Sequence, residues 1–437
     1  MKVLLVNSSD RGGGAQQVGR ALLEGLTARG HDASMAVGHT DGSDPRVRVI
    51  PNFEHRPRRA QLAAFAGHRV AGHGAKRLGD LLTRAGEPRR WARVARGDED
   101  FDFPGTWTLV QEAAGAGVVH LHNLHGGYFD LRALPALSRV APVVVTLHDS
   151  WLLTGHCAHS FECERWATGC HDCPHLSTYP ALPRDRTREN WRRKRAIHAA
   201  SRLIVVTPSA WLGERVDRSI LAPAAIERHV IPNGIDLDAF RPGDRAAARA
   251  ALGLPQDADV VLFAANWTAS NDFKDFPTLE TAMAHLGARR RARPLLLVSV
   301  GEAGPTRREG QAELRMVGHV GDPANLVTWY QAADLYVHPA RADTFPTTVL
   351  EAMACGLPVV ASAVGGIPEQ VEAGVTGDLV PPGDAIALAR AVDDVLGDDE
   401  RRARMAASAR SRAEAHYDVA RMIDAHLTLY EQAAERR

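Results

Sequence analysis

The chain has 437 residues, which is enough for two or more domains that each bury a core of their own. Its 52 basic side chains balance 52 acidic ones, so the composition gives no reason to expect nucleic acid or another highly charged partner. No apolar run approaches the roughly 20 residues that span a bilayer, and the short apolar N-terminal segment predicts a first strand and not a signal peptide. We therefore expect a cytoplasmic protein.

The first elements predict a strand, a glycine turn and a helix. An apolar run over residues 2–7 is followed by Gly12, Gly13 and Gly14, after which apolar residues recur at helical spacing. A dinucleotide fingerprint would need another glycine three positions after Gly14, where Gln17 stands, so NAD binding is not indicated. The turn still lets the backbone approach a ligand closely, and Gly13 and Gly14 are candidate ligand contacts; a plain tight turn is the alternative.

A basic segment extends over about residues 53–105 and is rich in Arg, Ala, Gly and His. It contains helical stretches and little strand character. Such a segment could hold an anionic acceptor or lie against a membrane surface. A solvated insertion with mobile helices is the simpler alternative, and the one that we favour.

Two series of alternating strands and helices follow. In the first half, strands are predicted at 118–122, 143–148 and 203–207, with helices over 131–139 and 185–199. The pattern restarts near Ile231, with strands at 260–265, 295–300, 316–320, 334–338, 358–362 and 378–380 and a strongly helical end from Glu400 onward. This alternation is typical of α/β domains with doubly wound parallel sheets. We expect one domain over 1–228, a second over 229–415, and a last helix over 416–437.

Histidines mark the ends of two predicted strands. His148 and Asp149 follow the strand at 143–148, at the sheet edge where α/β proteins place ligands. An imidazole there can donate to a sugar hydroxyl or to a developing oxyanion. The strand at 118–122 ends in the run HLHNLHGG. Candidate contacts for an acceptor are His122, Asn123, His125, Gly126 and Asp149, and loop anchoring is the alternative.

Four of the five cysteines lie within residues 156–174: Cys157, Cys163, Cys170 and Cys173. A Cys-x2-Cys pair is half of a common tetrahedral zinc site, and His156, His159 or His171 could replace one ligand. We consider a structural zinc ion, with reduced thiols or two disulfides as the alternatives. Four thiolates would close the coordination sphere, so a catalytic metal is not expected here.

The stretch from Arg341 to Gly356, RADTFPTTVLEAMACG, predicts a loop followed by a short helix. Asp343 and Glu351 have seven residues between them, and the backbone N–H groups at 345–349 are the free donors of a helix start, which suit an anion. One carboxylate for hydroxyls, N–H groups for phosphate and a second carboxylate for ribose suit a nucleotide sugar. The alternative is a solvated loop with a glutamate near a helix start.

Lys274 lies between the predicted strand at 260–265 and the helix that begins near Pro277. An ammonium at this place can neutralise a departing diphosphate. A surface lysine is the ordinary alternative.

Taken together, these stretches resemble the retaining GT-B glycosyltransferases of family 4. Asp343 and Glu351 match the E-x7-E motif, with Asp in place of the first Glu, and VVVTLHDSWLLTGHC resembles the family's stretch around the His that contacts the donor sugar. The HLHNLHGG run and the cysteines resemble a subgroup of colanic-acid-type fucosyl- and related transferases. The turn Asn233–Asp236 (NGID) and the loop Gly365–Glu369 (GGIPE) match family motifs as well.

The resemblance implies two Rossmann-like domains facing an interdomain cleft, with the last helix returning to the first domain. It implies transfer of a sugar, with retention, from a nucleoside diphosphate sugar (GDP or UDP) to an acceptor hydroxyl, without a catalytic metal. His148, Asp343 and Lys274 would be catalytic. The implied donor contacts are Gly13, Gly14, Asn266, Lys274, Asp343, Thr344, Phe345, Pro346, Thr347, Thr348 and Glu351. The family's diphosphate-clamping Arg is missing, since Asn266 or Trp267 takes its place, and Arg341 is a candidate substitute.

The acceptor stays open between a carbohydrate, a lipid-linked molecule and a small molecule, and contact with the inner face of the membrane is compatible with the basic segment. Two other classes of function compete with transfer. One is another GT-B activity, a sugar-nucleotide epimerase or a phosphorylase, which would turn over a donor without a separate acceptor or with phosphate. The other is a non-catalytic scaffold that carries zinc.

Overall fold

The computed structural model describes residues 1–265, 271–289 and 292–436, and only the backbone of Pro323. The chain divides into two compact units. The first comprises Met1–Thr207, Leu212–Val230 and the chain from His426 onward, and the second comprises Pro208–Trp211 and Ile231–Ala425. No helix in the described part of the chain is both long and apolar enough to cross a membrane.

The first unit is built on a parallel sheet. Its described strands are β1 (Lys2–Ser9), β2 (Asp32–His39), β3 (Val47–Val49), β4 (Val118–His122), β5 (Val143–Thr146), β6 (Leu203–Thr207) and β7 (Ala225–Val230). They are ordered β3-β2-β1-β4-β5-β6-β7, and every neighbouring pair is parallel. The chain order reverses between β1 and β4, so their carboxyl ends form the switch point where such sheets bind ligands.

Helices connect these strands. They are α1 (Gly14–Ala28), α2 (Arg58–Gly72), α3 (Lys76–Ala85), α4 (Pro88–Ala95), α5 (Thr106–Ala113), α6 (Leu134–Val140), α7 (Arg165–Thr168), α8 (Thr187–Ala199) and α9 (Ala210–Asp217). Short 3-10 turns lie at Leu131–Ala133, Trp151–Leu153 and Ala222–Ala224. The helical prediction for the basic segment is confirmed by α2, α3 and α4.

The second unit repeats the plan. Its described strands are β8 (Asp259–Ala264), β9 (Leu295–Val300), β10 (Arg307–Glu309), β11 (Ala312–Val317), β12 (Leu335–His338), β13 (Val359–Ser362) and β14 (Gly377–Val380). They are ordered β10-β11-β9-β8-β12-β13-β14, and only the edge pair β10–β11 is antiparallel within the described residues. Here the switch point lies between β8 and β12.

Successive residues of β8 face opposite sides of this sheet, as the pleat requires. Val260 and Leu262 belong to one buried cluster, and Val261 and Phe263 belong to another. Both faces are therefore covered, which explains why the sequence shows continuous apolar runs instead of alternation. The helices of this part are α10 (Arg245–Leu252), α11 (Phe276–Gly287), α12 (Pro323–Ala332), α13 (Thr347–Ala354), α14 (Ile367–Gln370), α15 (Ala385–Leu396) and α16 (Asp399–His416). Helix α17 (Val419–Glu435) begins in this unit, and its residues from His426 onward belong to the first.

Two predicted strand ends were wrong. The strand expected at 316–320 is β11, which ends at Val317, and the strand expected to reach His148 ends at Thr146. The strongly helical end predicted from Glu400 onward consists of two helices, α16 and α17. Here Ile235, in the NGID turn, donates its N–H to the Tyr417 carbonyl and accepts from the Val419 N–H, so the helix ladder is interrupted by a residue far away in sequence.

Candidate functional site

Lys274 and Asp343 come together at the switch point of the second sheet. Lys274 follows β8 and Asp343 follows β12, and these strands are neighbours. The Lys274 Nζ donates to Asp343 Oδ2, and both side chains are largely buried. Burial opposes ionisation of Asp343, but the Lys274 ammonium outweighs it and holds the pKa of this carboxyl well below its usual range. The two groups therefore meet as an ion pair.

Asp343 has a second partner that was not predicted from the sequence. His338, the last residue of β12, is fully buried, and its Nε2 lies 3.2 Å from Asp343 Oδ2. Its Nδ1 lies 3.3 Å from the hydroxyl of Tyr336, which donates to the Ala264 carbonyl at 3.2 Å. Burial and Lys274 lower the pKa of His338. The position of a histidine at a strand end was the available signal, and it was used only in the first half of the chain.

The loop between Asp343 and α13 is fixed through its backbone. Asn233 Nδ2 donates to the Phe345 carbonyl and Gln370 Nε2 donates to the Pro346 carbonyl, both at 3.0 Å. Pro346 precedes α13, and no side chain caps this helix start. The N–H groups at the start of α13 therefore have no capping side chain, which is the condition for them to bind an anion.

Gly365 and Gly366 explain the GGIPE motif. A Cβ at Gly365 would lie 1.7 Å from the Asp343 carbonyl oxygen, and one at Gly366 would lie 2.1 Å from that of Thr344. Gly365 also has φ of +56°, which disfavours other residues. Glu369 accepts from the N–H groups of Ala210 and Trp211, both at 2.8 Å. The motif thus packs directly behind the acidic loop.

Glu351 lies in the second turn of α13 and is buried. Its Oε2 accepts a hydrogen bond of 2.6 Å from the hydroxyl of Tyr330 in α12. Burial raises the pKa of Glu351 to about 7, although the Tyr330 bond acts in the opposite direction. Of the remaining predicted donor residues, Thr344, Phe345 and Pro346 are buried, and Thr347 and Thr348 open α13. Asn266 lies outside the described residues.

In the first unit, the ends of β4 and β5 bring predicted residues together. His122 Nδ1 lies 3.0 Å from His148 Nε2, and the two rings stack. Burial lowers the pKa of His148 to about 4, so the imidazole is neutral at pH 7. A neutral imidazole can still donate one hydrogen bond, which fits contact with a sugar hydroxyl.

Further histidines lie behind this pair. His120 contacts the Tyr430 hydroxyl through Nδ1 at 2.5 Å and the Thr146 hydroxyl through Nε2 at 2.7 Å, and its ring stacks on that of His426. His426 and Tyr430 belong to α17 and to the first unit. No sequence pattern links residues about 300 positions apart, so the contacts of His120 with His426 and Tyr430 could not be predicted.

His125 and Asp149 form the other predicted pair. His125 Nε2 lies 2.6 Å from Asp149 Oδ2, and His125 Nδ1 lies 3.2 Å from the Tyr179 hydroxyl. Although burial opposes it, the His125 contact lowers the pKa of Asp149 to about 2. Asn123 and Gly126, on the same loop, both have positive φ. The loop after β4 is thus tied to the loop after β5, as either an acceptor site or loop anchoring would require.

Gly13 and Gly14 begin α1 after β1, as predicted, with Gly13 as the N-cap. Sequence reasoning missed Asp10 beside them. Its carboxylate is 1% exposed, accepts no hydrogen bond within the described residues, and lies 3.8 and 4.0 Å from the guanidinium groups of Arg11 and Arg20. An incompletely paired buried carboxylate at a strand end is a candidate ligand contact.

The four clustered thiols, Cys157, Cys163, Cys170 and Cys173, line one cavity of about 20 Å³. All are free thiols; the Gly155 N–H donates to Cys170 Sγ at 3.2 Å, and His156 Nε2 lies 3.4 Å from Cys173 Sγ. The donor set suits zinc. As placed, however, no group of three or more His, Cys, Asp or Glu side chains among the described residues could hold a metal ion.

Comparison with known families and proteins agrees with this architecture. The family model described as Glycosyltransferase Family 4 matches residues 12–239, and that described as Glycosyl transferases group 1 matches residues 244–412. Among curated relatives, D-inositol 3-phosphate glycosyltransferase 1 of Catenulispora acidiphila is 34% identical over 252 residues, which cover 55% of this chain and 59% of the relative. D-inositol 3-phosphate glycosyltransferase of Mycolicibacterium paratuberculosis is 39% identical over 204 residues, covering 44% and 43%. The chain thus spans about half the length of the curated relatives it matches.

Solved structures show the same fold at low sequence identity. Sucrose-phosphate synthase from Thermosynechococcus elongatus aligns with a TM-score of 0.66 and 22% identity over the whole of both chains. HepE from Anabaena, crystallised with UDP and glucose, aligns with a TM-score of 0.64 and 20% identity over 99% of each chain. The predicted fold of two Rossmann-like parallel-sheet domains, the GT-B type, is thereby confirmed.

Proposed function

Because the chain belongs to Glycosyltransferase Family 4, we propose that it transfers a sugar from a nucleoside diphosphate sugar to an acceptor hydroxyl. The observation that carries this proposal is the arrangement at the second switch point. There, Lys274, Asp343 and the uncapped start of α13 converge, and Glu351 lies one turn further on. A cation and free N–H groups suit a diphosphate, and two carboxylates suit the hydroxyls of a sugar and a ribose.

In the proposed reaction, the bond between the sugar C1 and the diphosphate oxygen breaks, a bond from C1 to the acceptor oxygen forms, and the acceptor's proton leaves with the diphosphate. Negative charge grows on the diphosphate, where Lys274 and the α13 N–H groups stabilise it. Lys274 and His338 both contact Asp343 Oδ2, so we assign Oδ1 to a sugar hydroxyl. Glu351 holds the ribose, with Asn266, Gly13, Gly14 and the residues 344–348 as further donor contacts.

Arg341 is our proposal for the second cation at the diphosphate. Its backbone N–H donates to the Phe273 carbonyl at 2.9 Å, so its side chain starts beside Lys274 in the folded chain.

His148 would orient the sugar as a neutral imidazole. His122, Asn123, His125, Gly126 and Asp149 would contact the acceptor. Retention of configuration and kinship with the colanic-acid-type subgroup belong to this proposal as well.

The proposal is tested by incubating the full chain with UDP- and GDP-sugars and an acceptor panel that includes D-inositol 3-phosphate, simple sugars and a lipid-linked sugar. UDP is tested first because HepE was crystallised with it. We expect release of nucleoside diphosphate together with a product one sugar heavier by mass spectrometry, and an anomeric NMR signal that matches the donor's configuration. Donor turnover without a glycosylated acceptor would instead favour the epimerase or phosphorylase alternative.

We further propose that Cys157, Cys163, Cys170 and Cys173 hold a structural zinc ion, once side-chain rotation brings their sulfur atoms together. The convergence of four thiols on one cavity supports this. We expect about one zinc per chain by elemental analysis, retained in Cys355→Ala and lost in the double variant Cys170→Ser/Cys173→Ser, which should also unfold at a lower temperature. Wild-type protein without zinc after purification free of chelators would refute the assignment.

A further inference from the structure

Helices α2 and α3 pack against each other through their smallest residues. The buried positions are Ala60, Ala64 and Gly67 of α2 and Gly79 of α3. A Cβ at Gly67 would lie 2.5 Å from the Gly79 carbonyl oxygen, and one at Gly79 would lie 2.5 Å from that of Gly67. The two helices therefore approach each other backbone to backbone at these glycines.

The opposite face of α2 carries large apolar side chains. Leu62 is 70% exposed and Phe65 is 59% exposed. They are flanked by the exposed Arg58 and Arg69, so the four residues are spaced by four, three and four positions and form one stripe along the helix. We name these four residues the α2 outer stripe. In an ordinary helix of a soluble protein the large apolar side chains face the core, whereas in α2 they face outward.

Charge distinguishes the surroundings of this stripe. Helix α2 contains no acidic residue, and over residues 58–85 six basic side chains face one acid, Asp80, although the chain as a whole has no net charge. The ion pairs of the neighbouring segment involve other residues: Arg56, Arg90 and Arg93 pair with Glu87, Asp100 and Asp102. Helix α2 itself therefore carries positive charge from Arg58, Arg59 and Arg69, and the Arg69 guanidinium lies over the Phe65 ring, 5.8 Å from its centroid.

We propose that the α2 outer stripe docks on the surface of an anionic phospholipid bilayer. Apolar side chains flanked by arginines suit the boundary between headgroups and acyl chains, where Leu62 and Phe65 enter the apolar layer and the arginines reach the phosphates. The surrounding basic side chains add attraction to an anionic leaflet. A protein partner would not require a helix that carries arginines and no acidic residue beside its exposed apolar side chains. The inference is independent of the proposed transfer reaction.

The test is flotation of the full chain with vesicles of phosphatidylcholine alone or with phosphatidylglycerol added. We expect binding to the anionic vesicles that weakens with salt and falls about tenfold or more in Leu62→Ser/Phe65→Ser, since burial of these two side chains is lost. The reversal Arg58→Glu/Arg69→Glu should reduce binding by a similar factor. Thermal unfolding of each variant should match wild type because all four positions are exposed.

Two matched controls locate the contact. Leu81→Ser, on α3 and 64% exposed, and Ile386→Ser, in the second unit and 50% exposed, should leave vesicle binding unchanged. Equal loss in Leu81→Ser would overturn the assignment to α2. Equal binding to neutral vesicles, or no binding at low salt, would overturn the lipid proposal. The lipid proposal would also be overturned if light scattering showed a dimer of this chain that Leu62→Ser/Phe65→Ser converts to a monomer.

Discussion

Replacing Lys274 with alanine is expected to lower the turnover of sugar transfer by about 10²- to 10³-fold, which is the usual effect of removing one group that stabilises a developing negative charge. The substitution removes the ammonium that we assign to the departing diphosphate. Its contact with Asp343 in the unliganded chain shows that the group is held at the switch point and is not a mobile surface lysine. The measurement is the initial rate at saturating donor and acceptor.

This variant should stay folded, because Asp343 keeps a partner. His338 remains in contact with Asp343, and loss of Lys274 removes a charge that lowers the pKa of His338, so the imidazole can take up a proton beside the carboxylate. Lys76→Ala, at an exposed position of α3, is the matched control and should keep wild-type turnover. More than half of the wild-type rate in Lys274→Ala would contradict the assignment of Lys274.

Replacing Glu351 with glutamine is expected to change stability and donor binding in opposite directions. Burial raises the pKa of Glu351 from 4.5 to about 7, so at pH 8 the folded chain holds an ionised carboxylate in an unfavourable place. Glutamine keeps the shape and can still accept from Tyr330. At pH 8 the unliganded variant should be more stable by about 3 kcal/mol, from the size of the pKa shift. Its affinity for UDP or GDP should fall roughly 10- to 100-fold, because a charged acceptor for the ribose is lost.

The direction of the stability change in Glu351→Gln follows from the pH at which the Glu351 carboxyl ionises. Because the folded pKa lies above the unfolded value, the carboxyl favours unfolding once it ionises, and its penalty grows as pH rises from about 4.5 to about 7. The stability difference between Glu351→Gln and wild type should therefore be small at pH 4.5 and largest at pH 8, in denaturant titrations. Glu400→Gln, at a site 91% exposed, should show no such trend. A variant less stable than wild type at pH 8 would contradict the environment described for Glu351.

Sequence reasoning succeeded where the signal is local. Most strands of both series were predicted because buried parallel strands give continuous apolar runs. Lys274 and Asp343 could be proposed because each follows such a strand, and Glu351 because it lies in the helix that comes after Asp343. Strands β2, β3, β7 and β10 were not predicted. Of these, β3 and β10 have only three residues, and alternate residues of β7 are exposed, so none gives a strong apolar run.

What sequence reasoning missed depends on contacts between distant segments. His338 was overlooked although it lies five positions before Asp343, because its role depends on the carboxylate that it shares with Lys274, a residue of the loop after β8. His426 and Tyr430 support His120 from the far end of the chain. The reason for glycine at positions 365 and 366 is likewise tertiary, since only the folded chain brings the Asp343 and Thr344 carbonyls against them.

The most direct test is amide hydrogen exchange, measured with and without saturating UDP and, separately, GDP. If the start of α13 binds the diphosphate and Glu351 holds the ribose, one of these nucleotides will slow exchange across residues 343–354 and near Lys274 in wild type, and the protection will be much weaker in Lys274→Ala. Calorimetrically confirmed binding of a nucleotide that leaves exchange over 343–354 unchanged would contradict the account.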